Sequence, residues 1–489
     1  MENLESHSSS SSDREGIIID DEGNLHVDWR GPNDPEKPTN WSFSRKWSIV
    51  LTNSLITFMV SFCSSVYSAA TLDIQKEFGA SVTVSRLGIS LYVFGFAFGP
   101  MLWGPASELY GKTRPLWLGY VLFCIFQIPT ALAKDIYTLL IFRFLAALAG
   151  SSALAILGGM FVDFLVTPKE RGIATALFSM ATFCGPASGP IIGSIVEERA
   201  GRAWISWVTL IAGVVFGVPA FLVTPETQES VILKRKSRKL SKEREKGGAL
   251  TPSADKGGSL QLSIFVRKYL TKPIVMFVQE PILIFLTLYM SLVYGIIYLT
   301  FTLYPLAFRK YRKWGAVKSS LPFLSILLGV AVACFLLAIH SIYHVTAQFQ
   351  KLKRHVPETR LPPMIFGSLL LPAGMFWFTW TSNPEMSWVP QAISGIFIGC
   401  GAVMVFMSGV VYIIEVYLAD ANSALAINNV VRSAFAAGFP LYATSLFSDA
   451  GMHLGGSVVG GLCLFLLPFP ILFWRYGQKI RSWSKFANS

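Results

Sequence analysis

Long apolar runs alternate with short polar breaks along almost the whole chain. Six come first, at residues 48–72, 87–106, 115–133, 136–162, 172–196 and 204–223. The polar stretch "KRKSRKLSKEREKGGALTPSADKGG" (234–258) follows. Six more runs then occupy 281–308, 319–343, 363–380, 389–414, 424–447 and 455–474. A helix needs roughly 20 apolar residues to cross a bilayer core, and each run is about that long. The runs are continuous rather than alternating, which argues for helices and against a transmembrane barrel. The pattern predicts an all-α polytopic membrane protein, with twelve transmembrane helices in two pseudo-symmetric six-helix bundles. Transporters built from paired bundles place their substrate site at the interface between the repeats.

The flanking segments complete the division. Residues 1–45 read as a disordered cytoplasmic tail, 46–224 as the first bundle, 225–279 as a cytoplasmic linker, 280–475 as the second bundle and 476–489 as a cytoplasmic tail. Within the linker, 234–258 is too polar to pack and is expected to be disordered. The piece 260–278 is partly amphipathic and is expected to lie along the membrane surface. Basic residues orient the chain with both termini inside, at 45–46, 112–114, 169–171, the linker, "KLKRH" (351–355) and the tail. "FRKYRKWGAVK" (308–318) breaks that bias, because the same topology puts it outside.

Composition sharpens this picture. Of 489 residues 52% are hydrophobic and 14% charged, against about 25% charged in soluble proteins. The net charge of +12 reads as cytoplasmic loops held inside rather than as a nucleic-acid surface. Cys63, Cys124, Cys184, Cys334, Cys400 and Cys463 all fall within apolar runs, so no disulfide framework is expected. The histidines are scattered, and neither a metal nor a cofactor is expected. The polar start "MENLESHSSSSSDREG" does not read as a signal peptide.

Three stretches carry candidate chemistry. The first, "WGPASELYGKTRPLWLG" (103–119), turns between runs two and three and holds Gly104, Glu108, Gly111, Lys112 and Arg114. Gly104 and Glu108 share a helix face. A glycine there would let another helix approach, so the acid could meet that helix's positive N-terminus near Asn422–Ala424. The basic residues could tie the same carboxylate, making a latch on a cytoplasmic gate. A plain positive-inside turn would hold the same charges. The second stretch, "RFLAALAGSSALAILGGMFVDF" (143–164), places Arg143 inside an apolar run, with Gly150, Gly158 and Gly159 after it. A charge there faces a cavity or partner, or snorkels to headgroups. The third, "CGPASGPIIGS" (184–194), repeats Gly185, Pro186, Gly189, Pro190 and Gly193 at about helical-turn spacing, which kinks a helix and permits close packing.

These stretches resemble the signatures of the major facilitator superfamily. The first resembles its loop between spans two and three, with Glu108 where Asp is usual and Leu109 where the superfamily usually has Arg. The second resembles span four of the drug:proton antiporter group, with Ala147 where many members carry Gly. The third resembles the Gly-Pro signature of the antiporters, its last Gly pair split into Gly193 and Ser194. "VDWRGPNDPEKPTNW", "PETQESVILKRKSRKL" and "SALAINNVVRSAFAAGFPLYATSLF" extend the resemblance to the fungal twelve-span members, which export polyamines, drugs and toxins. It implies alternating access, efflux coupled to protons, a monomer in a lipid bilayer, a small-molecule substrate and no enzymatic activity. The expected location is the plasma membrane, with the vacuolar membrane as the alternative.

The charges inside the runs qualify that expectation. Asp73, Asp163, Glu280, Glu415 and Asp420 all sit at run ends, while Arg143 and Arg432 lie well inside. Buried arginines without a central acid favour an anion, such as an organic acid or acidic secondary metabolite, over a polyamine. Tyr294 and Tyr298, one turn apart, are candidates for an aromatic wall, and Asn428 and Asn429 for hydrogen bonds. Helix packing would account for each equally well. A broad multidrug or polyamine exporter remains the alternative within the class. A channel would need a pore-lining ring or re-entrant filter, and none is visible. A membrane-embedded enzyme would need a catalytic cluster, and His340 has no evident carboxylate partner.

Overall fold

The apolar runs fold as helices. The computed structural model describes residues 17–19, 25–29, 31–246, 271–345, 347–348, 351 and 356–487. Six long helices form the first half: α1 (Phe43–Val66), α2 (Val82–Tyr110), α3 (Thr113–Ala131), α4 (Ile136–Phe164), α5 (Pro168–Ala200) and α6 (Arg202–Val223). The second half has α7 (Pro281–Tyr304), α8 (Phe323–His340), α9 (Leu361–Trp380), α10 (Trp388–Val416), α11 (Ala421–Asp449) and α12 (Gly451–Leu466), which continues as a helix over Pro468–Arg481.

Among the described residues, nine helical segments are long and apolar enough to cross a membrane; they contain α1, α2, α4, α6 to α10 and α12. The other three carry more polar, glycine and proline residues, such as Arg114 and Gln127 in α3 or Asn428, Asn429 and Arg432 in α11. They nevertheless pack into the bundles, α3 on α4 and α6, α5 on α1, and α11 on α7 and, across the two halves, on α2. Leu118, Val121 and Ile125 of α3, and Leu324, Leu328 and Phe335 of α8, present exposed apolar side chains. Such a surface suits hydrocarbon rather than water.

Helix starts follow local chemistry. Ser42, Ser81, Asp135 and Thr167 cap α1, α2, α4 and α5, with Thr167 and Glu170 forming a reciprocal capping box. The Gly-Pro stretch lies in α5 and serves close approach. A Cβ at Gly189 would stand 1.9 Å from Ser65 Oγ, and one at Gly193 would stand 2.7 Å from the Val66 carbonyl. Gly185 meets Ser61 one turn earlier. These residues therefore seat α5 directly on α1.

The polar segments are more ordered than expected. Residues 17–19 and 25–27 pair as antiparallel strands, and Asp34 and Trp41 are buried ahead of α1. Of the stretch 234–258 expected to be disordered, residues 234–246 lie instead in a helix, Glu229–Lys246. It is rich in Lys, Arg, Glu and Leu, all good helix formers, and Lys236 ties it to Asp34 at 3.4 Å and Glu36 at 3.3 Å. Lys272–Gln279 is also helical. Residues 1–16, 247–258 and 260–270, named in the expectations above, lie outside the described residues. The C-terminal segment, expected to be a tail from 476, is helical to Arg481, and Phe486 packs against the second half's core.

Candidate functional site

At one end of the first half, an ionic cluster gathers around the α2–α3 turn. Gly111 takes a positive φ of +89°, and a Cβ there would lie 2.3 Å from Glu226 Oε2. The turn swings Lys112 across the end of α4. Its Nζ donates to both oxygens of Asp163 (2.7 and 2.8 Å) and to the Gly159 carbonyl (2.8 Å). Thr227 Oγ1 donates to the same Asp163 at 2.7 Å. Glu226, just past α6, accepts the backbone amides of Lys112 at 2.9 Å and Thr113 at 3.3 Å.

Glu108 meets the second half where the helix-end argument placed it. Asn422, in the first turn of α11, donates its Nδ2 to Glu108 Oε1 at 3.2 Å. Two other expectations for this turn need correcting. Lys112 pairs with Asp163 rather than with Glu108, and Arg114 is exposed. Gly104 makes no close approach, since a Cβ there would meet nothing within 4 Å. The contact between α2 and α11 is instead made deeper in, where Asn429 Nδ2 donates to the Phe96 carbonyl at 2.6 Å.

The second half repeats the cluster's logic with different residues. Arg360, ahead of α9, donates to Glu415 at the end of α10 at 2.7 Å. Arg481 grips Glu358 at 3.0 and 3.2 Å. Neither Glu226 nor Glu358 was singled out from the sequence. The signal was present, because each sits in the same tripeptide: "PETQ" at 225–228 and "PETR" at 357–360.

Arg143 is buried at 3% exposure within the first half. Its Nε donates to the Gly88 carbonyl at 2.8 Å and its Nη2 to the Cys63 carbonyl at 3.0 Å. The Cys63 carbonyl sits where α1 tightens, with the Tyr67 amide turned to Ser65. The guanidinium also lies over the rings of Tyr67 (4.3 Å) and Tyr92 (4.8 Å). The chain thus supplies Arg143 with partners of its own, which removes it from the pair of arginines expected to favour an anion. Gly150 packs beside Phe123, while a Cβ at Gly158 would meet nothing within 4 Å.

Arg432 lies between the halves in a different setting. Its guanidinium covers Tyr294 at 4.7 Å and Phe406 at 4.5 Å, and its Nη2 donates to Asn429 Oδ1. Its Nε is buried without a partner among the described residues. Tyr294 and Tyr298 stack edge to face, and the Tyr298 hydroxyl donates across the interface to Ser64 Oγ at 3.0 Å. Asn428 instead turns into the second half and donates to Thr287 Oγ1 at 3.1 Å, a packing contact.

Beyond the rings that Arg432 covers lies an apolar cleft lined by Phe183 and Ala187 of α5, Phe301 of α7, Phe323 and Val330 of α8 and Ala402 of α10, among others. It is nearly closed in this structure, with about 20 Å³ of room for a water-sized molecule. Phe183 packs on Phe406 at 5.1 Å, and Tyr298 on Phe301 at 5.3 Å, so one aromatic wall joins the arginine to the cleft. Thr300 also lines the cleft, and its hydroxyl is spent on the Ile297 carbonyl at 2.6 Å.

Two helical halves that meet along a polar and aromatic seam, with matching ionic clusters, define a membrane transporter. The chain belongs to the major facilitator superfamily, whose family model matches residues 54–440. It is 46% identical over 463 residues to a citrinin biosynthesis cluster MFS transporter of Monascus ruber, covering 94% of this chain and 92% of that one. A major facilitator superfamily multidrug transporter of Aspergillus fumigatus is 37% identical over 460 residues, with 93% and 75% covered. Among solved structures, a proton:xylose symporter of the superfamily shares the fold, with a TM-score of 0.62 at 15% identity, 89% of this chain and 96% of that one being covered. The chain is therefore a transporter and not an enzyme, and its relatives include fungal biosynthesis-cluster and multidrug transporters.

The bond between Glu108 and Asn422 links the halves at one end, which sets an expectation. Glu108→Ala should cut transport severalfold while leaving the amount of protein in the membrane unchanged. Transport and membrane abundance measured on the same preparation check this; full transport by the variant would remove the contact from the gate.

Proposed function

We propose that the chain is a twelve-span, proton-coupled exporter of amphipathic organic acids in the plasma membrane, with both termini cytoplasmic. The carrying observation is Arg432, whose buried Nε has no partner among the described residues at the seam between the halves. A desolvated guanidinium gains most from a carboxylate, which it binds as a paired fork. The nearby cleft is lined by apolar side chains apart from Thr300, whose hydroxyl donates to the Ile297 carbonyl, so the rest of the substrate is apolar. Relatives that belong to biosynthesis clusters support export of a metabolite. The apolar cleft also favours a second reading, a broad exporter of uncharged lipophiles, in keeping with a relative named as a multidrug transporter.

The proton needs a carboxyl that titrates near neutrality. Glu197, beyond the apolar stretch of α5, is one. Burial first, then the neighbouring Asp73, push it up to about 7, with Arg309 opposing and Glu198 adding to the rise. The glycine ladder brings the two acids together: Gly193 abuts Ala69, and Glu197 and Asp73 each lie four residues further on. The group is protonated below that value and ionised above it. Inside-out vesicles with an acidic lumen test the reading. An aromatic carboxylate should accumulate against the ion-trapping gradient, and Glu197→Gln should flatten the pH dependence between about 6 and 8. Uptake insensitive to lumenal pH would refute proton coupling.

A further inference from the structure

The carboxylate of Glu280 is completely buried at the start of α7. Its donors come largely from the C-terminal segment. Ser484 Oγ donates to Oε2 at 2.5 Å, and the amides of Lys485 and Phe486 donate to Oε1 at 3.0 and 3.3 Å. Tyr417, just past α10, adds its hydroxyl at 3.1 Å. Ser484 Oγ in turn accepts the Ala487 amide at 2.7 Å, which closes the segment into a turn. The docked tail thus ties the ends of α7, α10 and α12 through one buried charge.

We propose that Ser484 is a phosphorylation site for a basic-directed, ATP-dependent protein kinase, and that its phosphate undocks the tail from Glu280. Arg481 stands three residues before Ser484, and Lys485 follows it, a basic frame around a hydroxyl. Trp483 beside it is 70% exposed, so the segment lies at the surface. In the transfer, Ser484 Oγ bonds to the γ-phosphorus of ATP. The bond from that phosphorus to the β,γ-bridging oxygen breaks, ADP leaves, and the hydroxyl proton passes to the kinase's base. The product carries about −1.5 to −2 charge where the hydroxyl had donated to a carboxylate. Both groups are now anionic acceptors, and repulsion at low dielectric replaces a hydrogen bond. The tail then leaves, freeing the backbone at Lys485, whose side chain is already exposed, and the start of α7. The inference rests on the reading that places this end in the cytoplasm, where ATP is available.

The test uses the purified full-length protein in nanodiscs, so its first arm does not depend on orientation or substrate. Incubated with ATP and a basic-directed kinase, Ser484 should acquire phosphate by peptide mass spectrometry. Trypsin should then cut after Lys485 about tenfold faster, as a tail shifted towards its open state would allow. Ser484→Asp should reproduce the fast cleavage without kinase. Ser484→Ala should stay protected, because the Lys485 and Phe486 amides still bind Glu280. Glu280→Gln combined with Ser484→Asp should regain protection, since the repelling charge is gone. Phosphate found only on Ser482 or nowhere, or a Ser484→Asp tail as resistant as the parent, overturns the proposal. In cells, phosphate on Ser484 supports the cytoplasmic placement; its absence there, with Ser484 modified in nanodiscs, contradicts that placement alone.

Discussion

Arg432→Ala should abolish carboxylate transport while leaving the protein folded and in the membrane. In the closed seam Arg432 holds only Asn429 by a side-chain bond and rests on Tyr294 and Phe406. Its removal orphans one amide oxygen that can find water. The substrate loses much more. Truncating one partner of a buried, hydrogen-bonded charge pair costs about 2–5 kcal/mol, about thirtyfold or more in transport efficiency. Arg432→Lys should recover little, because an ammonium cannot reproduce the planar fork. Transport by Arg432→Ala at the parent's rate would detach the arginine from the substrate.

Glu226→Ala should have the largest effect on the protein itself. Its carboxylate accepts four backbone amides, from Lys112 at 2.9 Å, Thr113 at 3.3 Å, Thr227 at 3.1 Å and Gln228 at 3.2 Å. Its side chain is only 5% exposed. Each buried donor left unpaired costs about 1–3 kcal/mol, and the Gly111 turn then loses the group it was shaped around. The expected result is a sharp fall in membrane abundance and a lowered thermal midpoint. Glu226→Gln, which keeps one acceptor oxygen, should fall between. A Glu226→Ala protein as stable as the parent would mean that the cluster is decorative.

What the sequence disclosed and concealed follows from the kind of interaction. Spans were legible because burial in lipid demands unbroken apolar length. The meeting of Glu108 with Asn422 was legible because a helix start attracts an acid. The pairing of Lys112 with Asp163 was not, since it depends on the positive φ at Gly111, which redirects the chain. Arg143 misled for a related reason: its partners are the carbonyls of Gly88 and Cys63, and backbone acceptors leave no mark in a sequence. Glu226 was hidden in a segment read as linker, although the repeated "PET" pointed to it. The helix 229–246 was not legible because its charge density masks its helix propensity, and the ion pairs of Lys236 with Asp34 and Glu36 join residues about 200 positions apart.

The central claim is that an anionic group on an apolar body is carried past Arg432. The most direct measurement is uptake into inside-out vesicles with an acidic lumen, comparing an aromatic carboxylate, its uncharged amide and spermidine in the parent and in Arg432→Ala. The account predicts that the carboxylate is taken up by the parent alone, with the amide and spermidine transported weakly and indifferently to the substitution. Spermidine or the amide transported well by both proteins, with the carboxylate ignored, would contradict it and leave a polyamine or multidrug exporter.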